Sequence, residues 1–157
     1  MSWENLDAEG KPLQAVLMEV TQSVGSAFMQ AVGRYGYHVE APRFGTNPND
    51  PISCYVEWWL EIPAPYELMS CELQLLATAD GPEVSARIAV WRYLGKGISL
   101  DVDVWRSADV IVESPSAAAA ELQRVGAELV RQCKLLDLAT YLGASSALPE
   151  SSVESED

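Results

Sequence analysis

Asp101 and Asp103 stand two residues apart in the stretch from Ile98 to Arg106. In an extended chain alternate side chains share a face, so the pair points one way and could share a proton or hold a cation. Glu57, Glu61 and Glu72 fall on the same side of neighbouring extended stretches. The other parts of an active site do not accompany them. The chain has a single histidine, His38, and no Gly-x-Ser-x-Gly elbow, Cys-x-x-Cys pair or glycine-rich dinucleotide turn. Gly95-Lys96-Gly97 lacks the longer glycine frame and the following helix of a phosphate loop, and reads as a hairpin turn. The acids therefore read as a solvated face, and the chain as a non-enzyme without metal or cofactor. Cys54, Cys71 and Cys133 lie on apolar rows and read as buried free thiols, with a Cys54 to Cys71 bridge as the alternative.

A second set of residues carries binding chemistry. Tyr55, Trp59, Arg87, Trp91, Tyr93 and Trp105 are expected on the outward rows of the strands. Tryptophan, tyrosine and arginine bury much area for little lost entropy, and dominate the centres of protein interfaces. These six are the candidate partner-binding residues. The competing expectation is that strands favour aromatics and that the termini or a loop cover them. Counting through the short turns places Glu57, Gln74, Arg87 and Trp105 across one row, and Glu61, Ser70, Trp91 and Asp101 across another.

The elements that position these residues follow from periodicity. From Ile52 to Val112 apolar residues alternate in four runs: Ile52 to Ile62, Met69 to Ala77, Val84 to Val90, and Ile98 to Val104, the last continuing through Ala108, Val110 and Val112. The joins at Pro63 to Glu67, Asp80-Gly81-Pro82 and Gly95 to Gly97 are too short for parallel crossovers, so the sheet is an antiparallel meander. Tyr37 to Ala41 is a candidate fifth, edge strand at the start of an irregular stretch reaching Pro51. Leu13, Val16, Leu17, Val20, Val24, Phe28 and Ala31 recur at helical steps after Pro12, and Gly36 suits the C-terminal cap. Ser114-Pro115 opens a second helix whose stripe runs through Leu122, Leu129 and Cys133 towards Gly143. Gly25 and Gly33 read as points of close helix-to-sheet contact. The expected fold is α+β: an antiparallel four- or five-stranded meander with an N-terminal and a C-terminal long helix on one face. It occupies 11–143 as a single domain, between a flexible N-terminus at 1–10 and a disordered acidic tail at 144–157.

The net charge of −13 argues against nucleic acid, whose phosphates demand a basic surface. Glu150, Glu154, Glu156 and Asp157 supply four of those charges from the tail, so the folded part keeps nine. Such a surface steers a basic partner. No apolar run approaches a membrane span, and Glu4, Asp7 and Glu9 sit where a secretory leader needs cations, so a cytoplasmic location is expected. In size, charge and order of elements the chain resembles two kinds of small acidic bacterial protein, type III secretion chaperones and toxin-immunity proteins. The resemblance implies binding and assigns no residue a role; the four consecutive strands depart from the chaperone pattern, which interrupts its sheet with a helix. The expected function is a protein-binding domain of adaptor, chaperone or inhibitor type, acting on another, basic protein, with a homodimer as a further possibility. The alternative is a small apolar ligand held between helices and sheet, lined by Trp58, Met69, Leu73, Ile88 and Val90 facing Phe28 and Leu129, with Arg92 or Arg106 at its mouth.

Overall fold

The computed structural model describes residues 7–47 and 50–141. The segments read as a flexible start and an acidic tail lie outside the described residues, apart from 7–10. Helix α1 spans Asp7–Gly33, so those residues are helical and Pro12 lies inside the helix. Five strands follow as β1 (Arg43–Asn47), β2 (Asp50–Glu61), β3 (Leu68–Thr78), β4 (Gly81–Gly95) and β5 (Ile98–Arg106). They pair antiparallel in chain order, and a two-residue strand β6 (Val110–Ile111) returns to pair with β4. Helix α2 covers Pro115–Leu135. This is the expected α+β meander with both helices on one face of the sheet.

Three departures have physical causes. The edge strand lies at Arg43–Asn47 and not at Tyr37 to Ala41. Ahead of it Val39 turns into the core at 3% exposure, and Pro42 has no N–H to give a ladder. The last strand breaks at Ser107, whose N–H donates to Ala86 O at 2.9 Å while its Oγ accepts from Ala86 N–H at 2.9 Å. A side chain thus takes over one rung, and the chain bends before Val110 re-pairs. Finally, α2 stops well short of Gly143. Leu136 adopts extended dihedrals, and Leu138, in a 3-10 turn at Leu138–Tyr141, is fully buried. The turn lets Leu136 and Leu138 both reach the core, which a continuing helix would not.

Caps and turns match their residues. Gly36, at φ 85°, closes α1: its N–H reaches Gly33 O at 3.0 Å and Tyr37 N–H reaches Val32 O at 3.2 Å, the paired bonds of a Schellman end. Ser114 caps α2, its Oγ accepting from Ala117 N–H at 3.2 Å. Lys96 and Gly97, at φ 57° and 75°, form the two-residue link between β4 and β5; both carry the positive φ of a type I′ hairpin.

The core is the inward row. Val56, Trp58, Leu60, Met69, Cys71, Leu73, Leu75, Val84, Ala86, Ile88 and Val90 are buried against Val24, Phe28, Val32, Leu122, Val125 and Leu129. Two glycines set the distances. A Cβ on Gly25 would lie 3.0 Å from Trp58 Nε1, so α1 rests on the indole there. A Cβ on Gly126 would lie 2.4 Å from Val20 Cγ1, so α2 closes on α1 at that point. Gly33, expected at a close contact, has nothing within 4 Å.

Candidate partner-binding face

Among the described residues the opposite face of the sheet carries no helix, and the strand register sorts its residues into rows. One row is charged across five strands: Arg43, Glu57, Glu72, Arg87 and Arg106. The next reads Trp59, Ser70, Ala89, Asp103, and the one after reads Glu61, Leu68, Trp91, Asp101. Beyond the charged row, Tyr55 lies between Gly45 and Gln74. A Cβ on Gly45 would fall 2.2 Å from Tyr55 Cζ, so the tyrosine ring lies flat across the glycine and fills its missing side chain.

At the centre the small residues Ser70 and Ala89 leave room for the large ones beside them. The rings of Trp59 and Trp91 meet there with centroids 5.8 Å apart and planes tilted by 39°. Ser70 and Ala89 are fully buried and Glu72 is 8% exposed, as groups roofed by those rings would be. Trp91 Nε1–H donates to Ser70 Oγ at 2.8 Å, and the Ser70 hydroxyl donates to Glu72 Oε2 at 2.7 Å. Arg87 completes the set. Its Nε donates to Glu72 Oε1 at 3.3 Å, and its Nη1 donates to Asp101 Oδ2 and Asp103 Oδ1, each at 3.2 Å. Its Cζ sits 4.7 Å from the Trp91 ring centre, within cation–π range. Burial pulls the Arg87 pKa down, but the Glu72 charge and the bonds to Asp101, Glu72 and Asp103 outweigh it and leave the net shift upward. The guanidinium is therefore a permanent cation that ties four strand residues into one plate.

Five of the six candidate residues lie on the expected face. Trp59 and Trp91 are partly exposed, and Tyr55 and Tyr93 are open to solvent. Arg87 is there too, though it anchors the plate from below. Trp105 is not on this face. Val104 is an extra residue at a register shift, so Trp105 pairs with Ile88 and packs on the core side. The two rows counted from sequence slip for β3 by two residues: Glu57 faces Glu72 and not Gln74, and Leu68 rather than Ser70 joins Glu61, Trp91 and Asp101. Ser70 and Glu72, which hold the plate together, were missed as a linked pair. Their spacing on one strand face was the available signal.

Asp101 and Asp103 do share a face, and both turn an oxygen to the same Arg87 nitrogen. Arg106 Nη1 lies 3.7 Å from the second oxygen of Asp103 and Nη2 lies 3.9 Å from Asp109. His38 borders a recess with Tyr37, Glu40, Arg43, Trp59 and Glu61. Among the described residues its neighbours there include no cysteine or serine. Cys71 and Cys133 are free and buried; burial, then the neighbouring Cys133 thiol and the Glu72 charge, pushes the Cys71 pKa well up. The Cys54 side chain lies outside the described residues. Among the described residues no helix is long and apolar enough to cross a membrane.

No protein-family model matches this chain, and comparisons with curated proteins and with solved structures give no match. The reading of the face rests on its geometry.

Proposed function

We propose that the chain is a non-enzymatic acidic binding domain that holds another protein against the open face of its sheet, as an adaptor, chaperone or inhibitor does. The observation that carries this reading is the plate itself: two indoles in contact, one of them stacked on a guanidinium held by three carboxylates, on the face away from both helices. Such a plate is rigid before the partner arrives, so little side-chain entropy remains to be lost on binding. Tyr93, at 66% exposure, and Tyr55, at 42%, flank it with further aromatic area. The surrounding excess of acid would speed encounter with a basic partner and exclude an acidic one.

The rival is a small apolar ligand between helices and sheet. Trp58, Met69, Leu73, Ile88, Phe28 and Leu129 belong to one cluster of buried side chains, which draws that space into the core. Three recesses at the surface of the described residues lie elsewhere. One is under Arg92 beside the Pro63 to Glu67 loop, one is beside His38, and one is on the outer side of the helix pair at Val20, Gly126 and Val130.

Capture from the native host with the full chain as bait tests the proposal. The parent should retain a specific protein that Trp91→Ala plus Tyr93→Ala loses, while circular dichroism shows the variant folded. A folded double variant that keeps every partner of the parent removes the reading.

A further inference from the structure

Strand β5 is paired on one side only. It bonds to β4, and among the described residues nothing takes its other edge. Its apolar residues tell a second story. Val102 pairs with Val90 and Leu100 with Arg92, so Ile98, Leu100 and Val102 belong to the row that elsewhere faces the helices. Val90 on that row is fully buried. One strand further out, Val102 is 36% exposed, Leu100 42% and Ile98 58%, with Leu94 beside them at 57%. The helix layer ends over β4, and an apolar row patterned for burial continues past it into solvent. Unpaired edges are normally shortened, bulged or interrupted by proline, because they recruit other strands. From Ser99 to Asp103 this edge is regular, proline-free and exposed at every residue.

The other side of the same strand specifies what could pair with it. Asp101 and Asp103 project there, 45% and 36% exposed. Together with Glu72 and Asp109 they set four carboxylates against the two guanidinium groups of Arg87 and Arg106. A second copy is poorly suited. An isologous antiparallel pairing about Val102 would set Asp101 of each chain against Asp103 of the other, between molecules of net charge −13. A strand with apolar residues on one side and cations on the other is complementary on both.

We infer that β5 is a strand-addition site for an extended segment of a partner protein in which apolar and basic residues alternate. The apolar side chains cover Ile98, Leu100 and Val102, the basic ones meet Asp101 and Asp103, and the main chain completes the open ladder. The inference rests on the reading that the chain holds another protein, and names the chemistry of the segment held.

The test is fluorescence anisotropy of the full chain with a labelled peptide of alternating valine and lysine. Two controls accompany it, a valine–glutamate peptide and a valine–lysine peptide N-methylated at alternate residues. The basic peptide should bind, and added salt should weaken it. Loss of its ladder bonds by N-methylation should cost about tenfold or more, and the glutamate peptide should not bind measurably. Leu100→Lys plus Val102→Lys, at exposed positions that the fold does not bury, should weaken the basic peptide by about tenfold or more. Equal binding of the methylated or acidic peptide overturns the inference. So does a parent that sediments as a dimer and becomes a monomer in the β5 variant, since a second copy would then hold the edge. A native partner lost by Trp91→Ala plus Tyr93→Ala yet kept by the β5 variant leaves the face reading standing and removes this one.

Discussion

Arg87 organises the open face because one planar cation can serve several carboxylates and an aromatic ring at once. Truncating it strands Glu72, whose side chain is 10% exposed, without its cation. Arg87→Ala should lower stability by about 2–3 kcal/mol, the range for leaving a nearly dry carboxylate unpaired. Adding Glu72→Gln should restore part of that, because the neutral amide no longer needs a cation; urea denaturation of the two variants reads both effects. A second prediction concerns Cys71. Burial holds the folded thiol protonated, so its contribution to stability is full below the ordinary thiol pKa of ~8.5 and is lost as pH rises above it towards the raised folded value. Between pH 7 and 10 the parent should lose more melting temperature than Cys71→Ala, and identical slopes would contradict the assignment. At this scale the sequence shows which aromatics sit on the face as long as alternation is unbroken, which holds for Tyr55, Trp59, Trp91 and Tyr93. It fails at Trp105, because a single extra residue at Val104 reverses the side and no residue there announces a bulge.

Glycines separate the elements whose spacing matters from those that only happen to contain one. Gly126→Ala places a methyl group 2.4 Å from Val20 Cγ1, inside a buried contact between α1 and α2. Thermal or urea unfolding should show a loss of about 1–3 kcal/mol from the overpacking. Gly33→Ala meets nothing and needs no unusual φ, so it should be neutral or stabilising by about 0.5 kcal/mol through the unfolded chain. Similar effects at both sites would mean that the helix pair is looser than its geometry. The strands were legible because period-two alternation and short glycine and proline turns leave few ways to pair. The helix ends were legible only where a side chain or glycine makes the cap, as at Ser114 and Gly36. Where tertiary burial decides, as when Leu136 and Leu138 end α2, a helical stripe carries no sign of the stop.

The whole molecule has two layers of unequal width. Among the described residues the helices cover β2 to β4 and leave Ile98 to Asp103 of β5 exposed, and the net charge of −13 sets the sign of what approaches. Order of elements and charge were both readable from the residues. The mismatch between layers was not, since the row Ile98, Leu100, Val102 carries the same pattern as rows that are buried. The central claim is that a protein partner sits on the open sheet face. Amide hydrogen exchange of the full chain, alone and saturated with the protein it captures, tests this most directly. Added protection should concentrate in residues 55–61 and 85–106. Protection confined to the outer side of the helix pair, around Val20, Gly126 and Val130, would contradict it.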